Sequence, residues 1–327
     1  MKKRFIRMMA FAFVCVLLLV GCADSSSDKS TKSEGKETLT IALQYGMAYA
    51  PLTIMQEKKL IEKNYNGELE IEWMNLNSGS AINEGFTSGN IDMAAMGIAP
   101  FITGAAKGIP YKMYGTISAQ PHSLLTNQTS IQTIKDITSE NKIALVNIGS
   151  IQHILLAMLA EKNLGDAHAL DNHIVAMAHP DGMSALVAGS VDCQLTTSPY
   201  IYQAIESENV HEVKGLDEVW PNGNAFIVGL ISDELYEEQP ELYDAIVTAT
   251  QEAMDYINEN GEAAAILAKN QGMAEEDIRT WLADPACVYD MNLPGVMDMA
   301  EFMKDNDFID QAPESFESIT TESARQG

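Results

Sequence analysis

A repeating succession of short strand pattern, polar loop and helix pattern constrains this chain more than any other feature. Residues 38–43 (TLTIAL) and 69–74 (LEIEWM) alternate as half-buried strands do, and 91–96 and 111–117 add a third and a fourth strand. Between them, Pro51 opens a helix predicted to run to about Lys63. The run 77–80 (NSGS) precedes a helix ending near Gly89, and a short helix spans 100–107. The pattern then restarts, with strands at 142–146, 174–178 and 191–195 and helices at 150–164, 181–188 and 199–207. A last strand covers 225–232, and the remainder to residue 305 reads as helical. Strands that alternate with helices predict a mainly parallel α/β sheet covered on both faces.

The restart carries an internal echo. FTSGNIDMAAMGIAPFI (86–102) aligns with LVAGSVDCQLTTSPYI (186–201), pairing Gly89 with Gly189, Asp92 with Asp192 and, after one gap, Pro100 with Pro199. Helix–Gly–strand sequences recur in many α/β chains, but a spacing near 100 residues fits two lobes of similar design. With 327 residues there is material for both. The expected division is residues 38–120 plus 225–327 for lobe I and 121–224 for lobe II.

The N-terminus has a different character. Residues 1–22 place Lys2, Lys3, Arg4 and Arg7 before an apolar run from Met8 to Val20, short for a membrane span and right for a secretory signal. The run ends in Leu-Val-Gly-Cys and resembles the bacterial lipobox, which implies a signal peptide over 1–21 and lipidation (palmitate or a similar acyl group) at Cys22. Residues 23–37 are Ser-rich and charged, a flexible tether. The expected place of work is therefore the outer face of the cytoplasmic membrane, with the protein lipid-anchored. Beyond residue 21 the chain has 16 basic against 46 acidic residues, a net of −30. Nucleic-acid binding, which needs a basic footprint, is excluded as a reading.

Signatures of catalysis are missing. No Gly-x-Ser-x-Gly elbow, Walker A loop or His-Glu-x-x-His occurs, and no Cys/His cluster suggests a metal. No cofactor and no enzymatic activity are expected. Cys193 and Cys287 are read as free, buried thiols. His153 sits in an apolar helix pattern and reads as packed and hydrogen-bonded. His179-Pro180-Asp181 follows a strand and starts a helix; it is a site candidate, with helix capping by Asp181 the preferred reading. The chemistry lies in five polar loops at strand C-termini: 44–49, 77–80, 97–100, 147–152 and 196–200. Ligands of open α/β sheets bind in the crevice there, and helix N-termini supply N–H donors and a positive dipole end.

LQYGMAYAPLTIMQEKKLIEK, NSGSAINEGFTSGNIDMAAMGIAPFI and KIALVNIGSIQHILLAMLAEKNLG together resemble the nitrate/sulfonate/taurine-type substrate-binding proteins of ABC importers, a family that includes pyrimidine-precursor relatives. The resemblance covers about residues 38–250. It implies an α/β, two-lobed type II periplasmic-binding-protein fold with the ligand cleft between the lobes. The implied partners are a small-molecule ligand and the permease and ATPase subunits, with the protein itself a monomer. First-lobe contacts are then Gln44, Tyr45, Tyr49, Ser78, Gly79 and Gly97, and second-lobe contacts Ser150, Gln152, Thr197 and Ser198. Between residues 38 and 224 the chain contains no Arg, where a dianion would call for one. A monoanion held by helix N-termini and hydroxyls, or a neutral heterocycle stacked on Tyr45 or Trp220, fits such walls. An enzyme on the same fold, related to pyrimidine synthases, is the alternative.

Overall fold

The computed structural model describes residues 37–259 and 261–325, so the expected signal peptide, Cys22 and nearly all of the tether lie outside the described residues. Among the described residues there are ten strands: β1 (Glu37–Leu43), β2 (Leu69–Asn75), β3 (Met93–Gly97), β4 (Tyr111–Ser118), β5 (His122–Thr126), β6 (Ile143–Leu145), β7 (Ile174–Ala176), β8 (Cys193–Thr197), β9 (His211–Val213) and β10 (Ile227–Ser232). They form two five-stranded sheets of order β2-β1-β3-β10-β4 and β7-β6-β8-β5-β9. The two orders correspond strand for strand. Each sheet is the centre of one lobe, and the chain crosses between them over residues 119–121 and 214–226.

The sheets are mixed rather than mainly parallel. Four strand pairs are parallel and four antiparallel, because β10 and β5 arrive from the opposite lobe and enter their sheets reversed. Neither β5 nor β9 is foreseen by the sequence reading. The strands that are foreseen owe their place to packing: every residue of β3 (MAAMG) is buried, as expected of a central strand covered on both faces.

The internal echo is a structural repeat. Gly89 (φ 68°) and Gly189 (φ 73°) end equivalent helices in the left-handed region that favours glycine. Asp92 Oδ2 accepts from Thr40 N at 2.7 Å, and Asp192 Oδ2 accepts from Lys142 N at 2.8 Å. In both lobes the same carboxylate therefore tethers the same neighbouring strand. The match ends at the prolines: Pro100 lies inside the helix Ile98–Ala106, whereas Pro199 precedes the helix Tyr200–Ile205.

Three helix expectations are corrected. The helix opened by Pro51 is broken at Lys59 (φ 53°) into Ala50–Lys58 and Leu60–Asn64. Asp181 is not a cap: the helix His179–Val187 starts earlier, with Ala178 at its N-cap and Asp181 in the first turn. The C-terminal region is not helical throughout; residues 283–295 pass through turns and irregular chain beside the hinge, where Val288 and Ala119 exchange hydrogen bonds of 2.8 and 2.9 Å. The thiols of Cys193 and Cys287 are free, the first buried and the second half-buried.

Gly229, in the middle of β10, shows how tightly the returning strand is fitted. A Cβ there would lie 2.5 Å from the ring of Tyr114, which is fully buried and hydrogen-bonded to Thr250 Oγ1 at 3.2 Å. Gly229→Ala should destabilise the fold by about 1–3 kcal/mol. Urea unfolding should show a lower midpoint with unchanged slope; a midpoint equal to wild type would mean that β10 is not clamped in this way.

Candidate functional site

The carboxyl ends of β1, β2 and β3 face those of β6, β7 and β8 across a cleft. The loops leaving these strands run directly into helix N-termini. Ser78 caps the helix Gly79–Thr87, its Oγ accepting from Ala81 N at 3.3 Å, and Ser150 caps Ile151–Leu164, its Oγ accepting from His153 N at 3.2 Å. Gly97 caps Ile98–Ala106 without a side chain, and a Cβ there would sit 3.1 Å from Ile151 of the opposite lobe. Glycine at this point is what lets the two lobes approach.

An inner chamber of about 30 Å³ lies between the lobes, room for about two water molecules. Gln44, Tyr45, Tyr49, Gly79, Gly97, Ser150, Gln152 and Thr197 all border it, so eight of the ten residues expected at the site come together here. Ser78 lines instead a wider groove of about 840 Å³ that shares Tyr45 and Asn147 with the chamber wall. Ser198 is fully buried and lines neither space, because the strand end turns it away from the cleft. Trp220 is likewise buried, packed near Gly295, and offers no ring to a solute. Of the two tyrosines, Tyr45 is 52% exposed and Tyr49 is buried, which pushes the Tyr49 phenol's pKa far up and keeps it a neutral donor.

Among the described residues, the chamber wall contains no Asp, Glu, Lys or Arg. Arg279 is on an exposed helix face, paired with Glu275 at 2.5 Å, and Arg325 is spent on the Thr320 and Glu317 carbonyls. Positive potential therefore comes from backbone. The first-turn N–H groups of Gly79, Ser80, Ile151 and Gln152 have no acceptor among the described residues. The hydroxyl of Thr197 is already committed, donating to Pro121 O at 2.8 Å, which leaves its lone pairs free.

His179 belongs to the wall; the sequence reading names it a site candidate but does not count it among the ten contacts. The Gln152 amide donates to its Nε2 at 3.2 Å, its Nδ1 meets Thr196 Oγ1 at 2.9 Å, and its ring stacks on Tyr200 with centroids 5.6 Å apart. Burial pushes its pKa down to about 4, so the imidazole is neutral. The sequence signal was present, a His at a strand-to-helix junction. Asn147 also borders the chamber, and its Oδ1 is buried without a partner among the described residues. His153, by contrast, is a packed, hydrogen-bonded histidine 2% exposed, as expected.

Residues 32–270 match the model of the NMT1-like family. The chain belongs to that family. It is 29% identical over 205 residues to a putative aliphatic sulfonates-binding protein of Bacillus subtilis, covering 62% of this chain and 58% of that one, so the match spans less than two thirds of that relative. It is 24% identical to the phosphate-import protein PhnD of Mycolicibacterium smegmatis, over 76% of this chain and 82% of that protein. Among solved structures, the periplasmic aliphatic sulphonate binding protein SsuA of Escherichia coli superposes with a TM-score of 0.66 at 20% identity, covering 88% and 93% of the two chains. The likeness places this chain among the periplasmic-binding folds.

The buried neutral His179 makes stability pH-dependent. Its pKa is lowered on folding, so the unfolded chain binds the extra proton between about pH 6.5 and 4. The stabilisation is complete above pH 6.5 and is lost as pH falls through that window, by at most about 3 kcal/mol. His179→Gln should flatten this limb of a plot of unfolding free energy against pH. An equally steep acid limb in the variant would show that His179 does not carry it.

Proposed function

We propose that this protein is the extracytoplasmic, lipid-anchored solute-binding component of an ABC importer, and that its solute is a small organic monoanion of the sulfonate class. Lobe I is taken as residues 38–120 plus 225–327 and lobe II as 121–224, closing on the solute as two bodies. One observation carries the reading: a chamber walled by both lobes, free of charged side chains, into which helix N-termini open from each side. A protein with 16 basic and 46 acidic residues beyond its leader that still opens N–H donors onto its cleft is built to hold an anion locally. The names of two relatives, for sulfonates and for phosphate, agree with a tetrahedral oxyanion. The absence of Arg and Lys from the wall favours a single charge over a phosphate dianion, whose second charge would stay uncompensated.

In this reading the anionic head sits in the inner chamber, and an organic tail extends past the exposed Tyr45 ring into the wider groove. Gln44, Tyr49, Gly79, Gly97, Ser150, Gln152 and Thr197 are the proposed contacts, joined by His179 as the neutral support of Gln152. Delivery to a permease and anchoring through Cys22 complete the proposal.

Isothermal titration with ethanesulfonate, nitrate and inorganic phosphate tests it. Ethanesulfonate should bind, and phosphate at pH 8, mainly a dianion, should bind more weakly. Ser150→Ala removes one hydroxyl donor and should weaken ethanesulfonate binding by about 0.5–1.5 kcal/mol. Tyr45→Ala should cost more through lost apolar area, and Arg279→Ala should be neutral. No heat with any of the three anions, or loss of binding in Arg279→Ala alone, would overturn the reading.

A further inference from the structure

Outside the chamber, one cluster joins the lobes through side chains that the proposed function does not use. His168, Asp171 and His153 belong to lobe II, while Asn306 and Phe308 follow the helix Val296–Asp305, which packs on the lobe I helix Ile98–Ala106. His168 Nδ1 is 2.8 Å from Asp171 Oδ2, and His168 Nε2 is 2.9 Å from the Asn306 carbonyl. Both neighbours accept and neither donates. Satisfying both requires both ring nitrogens to carry protons, which makes His168 an imidazolium.

The other oxygen of the same carboxylate continues the chain. His153 Nε2 lies 2.9 Å from Asp171 Oδ1, and His153 Nδ1 accepts from Gly149 N at 3.0 Å, which fixes the proton on Nε2. Gly149 (φ 81°) is in the loop that borders the cleft and immediately precedes the capping Ser150. Phe308 fills the angle between the rings, 4.5 Å from His168 and 5.3 Å, edge-on, from His153. Asn306 is the C-cap of Val296–Asp305, so the cation also meets the negative end of a helix.

We infer that His168, Asp171 and His153 form a proton-dependent latch that ties the C-terminal segment of lobe I to lobe II and positions the Gly149–Ser150 edge of the cleft. With His168 protonated the latch is closed. Loss of the proton removes one of its two donated hydrogen bonds, frees the Asn306 carbonyl or the Asp171 carboxylate, and loosens both ends.

The surroundings favour the protonated form. Asp171 is the strongest influence raising the His168 pKa, followed by the Asn306 carbonyl, with Asp166 adding to them. Asp166 Oδ1 also accepts from His168 N at 2.9 Å. Of the charged residues beside Asn306, Asp305 is paired with Lys304 at 2.9 Å and Asp307 adds a further negative charge. His153 is the titratable group presented by the helix Ile151–Leu164, and His173 is turned away to the Asn141 carbonyl. The contrast with His122 is instructive. Its ring also faces two carbonyls, of Gln120 and Trp220, but no carboxylate touches it, and burial pushes its pKa down. A pKa raised on folding contributes stability that is fully present below about pH 6.5 and is lost as pH rises through the folded value. The latch therefore weakens on the alkaline side, opposite in sign to His179.

Nuclear magnetic resonance on the full chain without ligand tests this independently of what the cleft binds. The His168 ring should titrate above the ordinary imidazole value of about 6.5. The Gly149 amide and the Asn306–Phe308 amides should shift with the same midpoint. In Asp171→Asn, and in His168→Gln should the first variant fold poorly, the Gly149 amide should lose that titration. A His168 midpoint at or below 6.5 would overturn the inference, as would a Gly149 amide that stays still while His168 titrates.

Discussion

Two short crossings of the chain hold the lobes in register, and the geometry of the cleft depends on them. At 119–121 and 214–226 the backbone passes from one sheet to the other, and His122 ties the two passages, its ring nitrogens 3.1 and 3.0 Å from the carbonyls of Gln120 and Trp220. The ring lies parallel to Phe226 at 6.1 Å, and Val288 adds a third extended segment beside Ala119. The walls of the chamber are strand ends, loops and first helical turns carried by one sheet or the other. A small change in φ and ψ at the crossings would move one set of walls against the other as a body. A chamber of about 30 Å³ is too small to admit an organic solute without such a movement.

The electrostatics work at two ranges. Beyond residue 21 the chain carries a net charge of −30, which repels anions at a distance, but salt screens that repulsion within about 8 Å under physiological conditions. Inside the cleft the nearest polar groups decide, and these are backbone N–H donors, amides and hydroxyls around a space without a charged side chain. Such a site holds one charge well and a second one poorly. In the proposed role it would also leave the solute free to depart when the lobes part, as delivery to a permease requires.

Much of this was legible in the sequence because it rests on local rules. Apolar alternation marked β1 and β2, Ser78 and Ser150 marked helix starts, and the Gly-Asp echo at 89–92 and 189–192 marked a repeat whose carboxylates do play matching roles. What failed to show depends on distant partners. β5 reads HSLLT, with a polar start that is buried only because the crossing places it between β8 and β9. Lys59 breaks its helix in a run, KKLIEK, that has no Gly or Pro to announce it. Asp181 does not cap because the helix already starts at His179, with Pro180 in its first turn. Ser198 and Trp220 look like site residues in the sequence, and only their burial removes them. His179 needed the opposite insight: its neutrality comes from enclosure by Tyr200, Gln152 and Thr196, which spacing does not reveal.

The central claim is that a solute is enclosed between lobes that move about the two crossings, and small-angle X-ray scattering tests it most directly. The radius of gyration should fall when saturating ethanesulfonate is added, and the scattering curve with ligand should match the one calculated from the present structure. Calorimetric binding accompanied by an unchanged radius of gyration would contradict the account, because the solute would then be held on a surface and not within the cleft.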